Sequence, residues 1–345
     1  MSSFFLGDMW EELASKHVPE LSFRVSGVPF PEWREKALAK LTELLGPEPE
    51  PVPLEPSVES EEDLGDVVRK RVILHTDAYT LMPCWVTVPK NRDGKVPAIL
   101  CSHGHGPFGK NSVAGIRSSP EAEADIEGSN YDFGLQMARE GFVTVAPDLR
   151  GFGERRDPYD PIPNRDLCNV NFIKGALFGI YPMTLNIFDF RRCIDYLEGL
   201  PEADANRIGM MGLSQGGTMT TFVTAVEPRI RACDIIGYVN PFSGFAVRDG
   251  NFCGSQIVPG IYKYFDTFDI AGLIAPRPCL MEMGERDDCF RFDELRRGYE
   301  ETRAIYEAAG VPDLIEADVH PGGHAYSGVK APGFFKKHLY KGDRI

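Results

Sequence analysis

No C-x-x-C pair and no zinc-ligand spacing occurs among the eight cysteines and seven histidines of this 345-residue chain, which excludes the common sequence-encoded zinc modules. The cysteines, at 84, 101, 168, 193, 233, 253, 279 and 289, sit partly in apolar runs such as AILC and RPCL. In a reducing cytosol they read as small buried hydrophobes rather than disulfides. No apolar run approaches the ~20 residues of a membrane-spanning helix. The opening MSSFFLGDMWEEL lacks the basic flank and long apolar stretch of a secretory leader. A soluble, cytoplasmic protein without a membrane partner is expected. Basic residues are outnumbered, 37 against 51 acidic, for a formal charge of -14. That balance disfavours nucleic acid and anionic surfaces as partners and suits a small neutral molecule. No internal repeat is present, and no histidine lies between His105 and His320. The His103-x-His105 pair therefore lacks the further ligands a hydrolytic metal centre would need, and neither metal nor cofactor is expected.

What the chain does contain is a 43% hydrophobic complement, enough to bury one large α/β domain. Residues 1–64 differ in character from the rest. Trp33, Ala37, Leu38, Leu41, Leu44 and Leu45 recur at helical spacing over Glu32 to Leu45, and Gly46-Pro47 ends the run. The proline-rich connector PEPEPVPLEP follows. This extension is expected to pack on the main domain or on a second copy of the chain. Over 65–345 strand and helix signals alternate, which predicts a mostly parallel, twisted sheet of about eight strands flanked by helices. Its first two strands are read as an antiparallel pair. Predicted strands cover 67–75, 84–88, 98–102, 142–146, 207–211, 232–237, 279–284 and 314–319. Predicted helices cover 131–140, 184–199, 214–226, 293–309 and 332–340. Two glycine-, proline- and aromatic-rich stretches, 149–181 and 238–267, break the alternation and read as lid-like insertions facing substrate.

The pentapeptide Gly212-Leu213-Ser214-Gln215-Gly216 joins the apolar run 207–211 to a helical segment. A strand, sharp turn and helix in that order is the setting in which a serine becomes a nucleophile. With 35 glycines in the chain, such a string arises by chance about 0.2 times, so context decides. A serine hydroxyl needs a base, and the base needs an orienting acid. Downstream, in the order such sheets use, stand Asp287-Asp288 after the strand ending at Gly284 and His324 after the strand ending at Val319. Asp287 is the preferred acid, with Asp288 as alternative. His324, in a glycine-rich turn, is preferred to His320. The oxyanion of the tetrahedral intermediate needs backbone donors; the amides of Gln215 and of His105, in Ser102-His-Gly-His-Gly106 after AILC, stand in the right places. His103, Phe108, Phe152, Tyr238 and Phe242 are candidates to line the substrate pocket. Arg150-Gly-Phe-Gly-Glu-Arg155-Arg156 could line it too, or brace its loop with ion pairs. Asp189 and Arg192 read as an i, i+3 pair.

The helix ending LLGPEPEPVPL, the HGHG loop, APDLRGFGERR, the elbow GLSQGG, DIAGLIAPRP and HPGGH together resemble the α/β-hydrolase superfamily. Within it they are similar to the dienelactone-hydrolase-like and acetyl xylan esterase-like branch. The resemblance spans nearly the whole chain. It implies a serine carboxylic ester hydrolase acting on small neutral esters, acetyl or other short acyl, with Ser214, Asp287 and His324 as triad. Dienelactone hydrolases proper carry a cysteine at the elbow, where this chain has serine. An exopeptidase-like hydrolase, or a silent hydrolase fold that only binds ligand, are the alternatives.

Overall fold

Nine strands form one sheet in the computed structural model, which describes residues 4–158 and 167–340. They are β1 Ser57–Asp63, β2 Val67–His75, β3 Leu81–Pro89, β4 Val96–Ser102, β5 Val143–Pro147, β6 Ala203–Leu213, β7 Ile230–Ile236, β8 Cys279–Gly284 and β9 Ile315–His320. Their order across the sheet is β1-β2-β3-β5-β4-β6-β7-β8-β9. The first three pairings are antiparallel. From β5 onward every pairing is parallel. β4, β5 and β8 are buried along their whole length, as strands covered by helices on both faces must be.

The strand that sequence reasoning did not anticipate is β1. Its residues, SVESEED, are exposed throughout, so no apolar alternation marks them. The pairing with β2 holds it at the sheet edge, with Glu62 2.5 Å from Arg69, Glu61 3.5 Å from Lys70, and Asp63 paired with Lys90. Charged residues on an edge strand discourage another chain from adding to the sheet.

The helices that position the site are α1 Leu6–Lys16, α2 Phe30–Leu45, α3 Phe133–Arg139, α4 Leu167–Ala176, α5 Pro182–Gly199, α6 Gln215–Val226 and α7 Phe292–Ala308. α2 buries Phe30, Trp33, Ala37, Leu41 and Leu45 in the main core. Each large side chain so buried stabilises by roughly 1.5–3 kcal/mol. The Phe23 N–H donates to Asp269 Oδ1 at 2.9 Å and Arg34 Nε to the Leu273 carbonyl at 3.1 Å, so the extension is fixed to the body of the fold. α1 buries nothing and leaves Leu6, Met9, Trp10 and Leu13 exposed. Among the described residues no helix is long and apolar enough to cross a membrane.

Ion pairing around the loop after β5 differs in one respect from the expected arrangement. Asp189 does not pair with Arg192; it accepts from Arg150 at 2.7–2.8 Å and from Arg155 at 2.6 Å. Arg192 turns to Asp195 and to the Val52 carbonyl. The i, i+3 spacing on α5 is satisfied by longer reach: Arg150 and Arg155 brace the loop from the far side, and Asp77 adds a 2.6 Å contact to Arg150. Lys110 completes the brace beneath it, buried between Asp148 (2.7 Å) and Glu154.

Candidate active site

Ser214 lies where β6 gives way to α6, with φ 63° and ψ −117°. A non-glycine residue in this region is strained, by an amount on the order of 1–3 kcal/mol, and persists only when its surroundings impose it. Those surroundings are visible. The Ser214 N–H donates to the Ile236 carbonyl at the end of β7 (3.0 Å), and the Ser214 carbonyl accepts from Thr218 N at 2.9 Å. A Cβ on Gly212 would come within 2.5 Å of the Gly216 carbonyl oxygen, and one on Gly216 within 2.1 Å of the Ser102 carbonyl oxygen. The two glycines of the elbow are thus required by close approach of backbone to backbone.

The loop after β4 reaches the same place. A Cβ on Gly104 would lie 2.7 Å from the Leu213 carbonyl oxygen and 3.0 Å from the Ser214 Cβ. Its N–H donates to the buried Tyr131 hydroxyl at 2.6 Å. His105 follows directly in this loop, and Gln215 stands at the start of α6. The first N–H groups of a helix have no partner within the helix and point outward, as an oxyanion site requires.

His103, one residue earlier, is fully buried and its ring is spent on the main chain. Its Nδ1 donates to the Gly104 carbonyl at 2.7 Å and its Nε2 accepts from Leu149 N at 2.9 Å. Burial lowers its pKa, against the pull of Asp148, which keeps it neutral in this role. The two histidines of the pair do not converge on one point: His105 turns its Nε2 to Cys253 Sγ, 3.1 Å away.

Asp287 and His324 follow the ends of β8 and β9. Asp287 Oδ1 accepts from the amides of Cys289 (2.8 Å) and Phe290 (2.7 Å), and Oδ2 accepts from His324 Nδ1 at 2.8 Å. Only 1% of the Asp287 side chain is exposed, against 19% for His324. The neighbouring Asp288 is exposed. With its proton on Nδ1, the imidazole offers Nε2 as an acceptor, and Nε2 is buried without a hydrogen-bond partner among the described residues. Phe290 stacks on the imidazole, centroids 5.5 Å apart, and Phe245 stacks on Phe290 at 4.0 Å. A Cβ on Gly237, after β7, would lie 3.2 Å from His324 Nδ1. His320 is held otherwise, with Nδ1 accepting from Gly322 N at 3.2 Å.

Around this centre, Tyr238 and Phe242 are nearly fully buried and pack on Phe252. Phe108 is half-buried. Phe152 sets its edge against both His103 and His105. A cleft of about 320 Å³ opens beside the His105 loop, lined by Gly106, Pro107, Gly151, Phe152, Arg156, Leu167 and Cys168 among others. The two predicted insertions meet there, although 159–166 of the first lie outside the described residues. The Gly254 N–H donates to Asn169 Oδ1 on α4 at 2.8 Å. None of the eight cysteines forms a disulfide. Sequence reasoning missed Tyr131, Gly237, Phe290, Cys168 and Cys253, since no spacing or motif links residues brought together by separate loops.

The chain is similar to several known proteins. The model of the X-Pro dipeptidyl-peptidase (S15) family matches residues 77–260. YtaP of Bacillus subtilis, named as a hydrolase, is 26% identical over 315 residues, 89% of this chain and 100% of the relative. The acetyl esterase Axe7A of Xylanibacter ruminicola is 25% identical over 183 residues, 50% of this chain but 37% of the relative. Among solved structures, a Bacteroides fragilis protein named as an acetyl xylan esterase superposes with a TM-score of 0.72 at 18% identity, covering 98% of this chain and 90% of its own. With just over half of its length matched and this sheet order, the chain belongs to the S15 family and to the α/β-hydrolase superfamily.

Proposed function

We propose that the protein is a serine carboxylic ester hydrolase that removes short acyl groups, acetyl foremost, from small neutral esters. Ser214 Oγ attacks the ester carbonyl as His324 Nε2 takes its proton, Asp287 holding the ring and balancing the imidazolium. The carbonyl oxygen, now negative, meets the amides of Gln215 and His105. Collapse of the tetrahedral species expels the alcohol, which takes the proton from His324. Water then repeats the sequence on the acyl-enzyme and frees the acid.

The observation that carries the reading is the Asp287–His324 bond of 2.8 Å at the strand ends beside a strained Ser214. The preference for short acyl groups rests on packing. Tyr238, Phe242, Phe245 and Phe290 are buried and fill the space next to the imidazole with rings, leaving the open volume on the His105 side. The acetyl esterase and acetyl xylan esterase names among similar proteins agree with that choice.

The family match favours a second reading, removal of an N-terminal dipeptide. Such a substrate brings an ammonium group, which in a water-poor cleft needs a carboxylate. The charged side chain among the residues lining the cleft is Arg156, and this favours the ester. Hydrolysis of p-nitrophenyl acetate, butyrate and octanoate, beside an X-Pro p-nitroanilide, tests both. Turnover falling with chain length and absent in Ser214→Ala is expected; faster cleavage of the anilide would reverse the choice.

A further inference from the structure

His105 Nε2, Cys168 Sγ and Cys253 Sγ lie within 4.8 Å of one another, although their residues come from three distant parts of the chain. His105 belongs to the loop after β4, Cys168 to the first turn of α4, and Cys253 to the insertion between β7 and β8. The ester hydrolysis described above uses none of these three atoms. Their closeness is held by contacts around them. A Cβ on Gly254 would fall 2.2 Å from Phe172 Cβ, so the insertion backbone lies directly against α4. The Phe152 ring edges the His105 imidazole at 5.5 Å, and Ser255 Oγ lies 2.8 Å from Cys253 Sγ.

One imidazole and two sulfurs make a donor set selective for soft or borderline cations. Bonds of about 2.0–2.3 Å at tetrahedral angles would set such donors roughly 3.3–3.8 Å apart, close to the 3.1 Å between His105 Nε2 and Cys253 Sγ and within the 4.8 Å that bounds all three. We propose that His105, Cys168 and Cys253 bind one soft divalent cation, such as zinc. Binding exchanges the two thiol protons for the metal, with no change of oxidation state. The fourth position of a tetrahedral ion is left for water, since Cys168 borders the open cleft beside Gly106 and Phe152.

The ion would clamp α4 to the two sides of the oxyanion site. His105 supplies one amide directly. Gln215, which supplies the other, reaches the cluster through its side chain, Nε2 donating to Ser255 Oγ at 2.8 Å. The metal would thus order the donors that stabilise the transition state without touching Ser214.

Titration of the reduced full-length protein with cobalt(II) reads the site independently of ester turnover. One equivalent per chain, a thiolate-to-cobalt charge-transfer band, and its displacement by zinc are expected. Cys168→Ser should weaken zinc binding by at least ~100-fold, more than loss of a supporting residue around a ligand usually does. Absence of the band in the reduced wild-type protein overturns the proposal whatever the variants do. So does cobalt binding of unchanged affinity in a folded Cys168→Ser, with folding judged by its far-ultraviolet circular dichroism. Labelling of Ser214 by a fluorophosphonate in the same samples reports separately on the hydrolase reading.

Discussion

Asp287 meets His324 with one carboxylate oxygen and two main-chain amides with the other, so three of the acid's roughly four acceptor directions are occupied before substrate arrives. These contacts hold the carboxylate, and through it the ring, in one orientation.

Asp287→Asn tests that relationship. The amide can keep the contacts in part, but it would present N–H to Nδ1 and favour the wrong tautomer. The turnover number should fall by about 10⁴ with little change in KM. An ester assay across pH would show it, and a loss below tenfold would mean that another residue orients the imidazole.

Gly104→Ala should damage the proposed oxyanion site and also press on the elbow, where the added methyl would lie 3.0 Å from the Ser214 Cβ. The added methyl would lie 2.7 Å from the Leu213 carbonyl oxygen, and the loop carrying the His105 amide must shift. A decrease of about 10²–10³ in kcat is expected, the range for losing one oxyanion donor. Tyr131→Phe leaves Gly104 N unpartnered and should act in the same direction, more weakly. Steady-state kinetics of the two variants beside wild type provide the comparison; wild-type turnover in Gly104→Ala would remove the assignment.

Lys110→Met should destabilise the fold by roughly 3–5 kcal/mol, the usual consequence of leaving one half of a buried ion pair alone. Asp148 is fully buried, 2.7 Å from the lysine, and Glu154 would lose the same partner. Urea denaturation followed by tryptophan fluorescence measures the difference. A change within 1 kcal/mol would indicate that Asp148 relies on its amide donors, Lys110 N and Glu154 N, both at 2.9 Å.

Beneath the site, Glu282 on β8 has its pKa pushed up to about 8, by burial first, with Asp318 adding to it. Asp234 on β7 is also raised, by burial and then by Glu282. The native state therefore holds protons that the unfolded chain releases near pH 4. Their contribution is complete below that pH and is lost as pH rises toward about 8. Asp266, raised to about 6, and Asp269, raised to about 7, both chiefly by burial, act with the same sign. The melting temperature should decline from pH 5 to pH 8.5, and Glu282→Gln should flatten that decline. Thermal melts at the two pH values decide it, and equal slopes for the two proteins would sink the assignment.

Much of the frame of the candidate site was legible because covalent order and sheet geometry coincide. Ser214, Asp287 and His324 each follow a strand whose apolar run could be read directly, β6, β8 and β9, and a parallel sheet must bring those ends together. β1 was illegible for the opposite reason: a strand exposed on both faces has no periodicity to detect. The partners of Asp189 were misjudged because helix spacing reports only local neighbours, whereas Arg150 and Arg155 arrive from a loop 34 to 39 residues away. The three donors near Cys253 escaped detection likewise, since their spacing reflects how two insertions close on each other and not any local motif.

The backbone at Ser214 sits where glycine would be comfortable. A screen of variants for heat resistance alone would reward Ser214→Gly, which relaxes the elbow and deletes the proposed nucleophile in one step. Directed improvement of this protein must therefore select for turnover in every round, since at this position durability and chemistry pull apart.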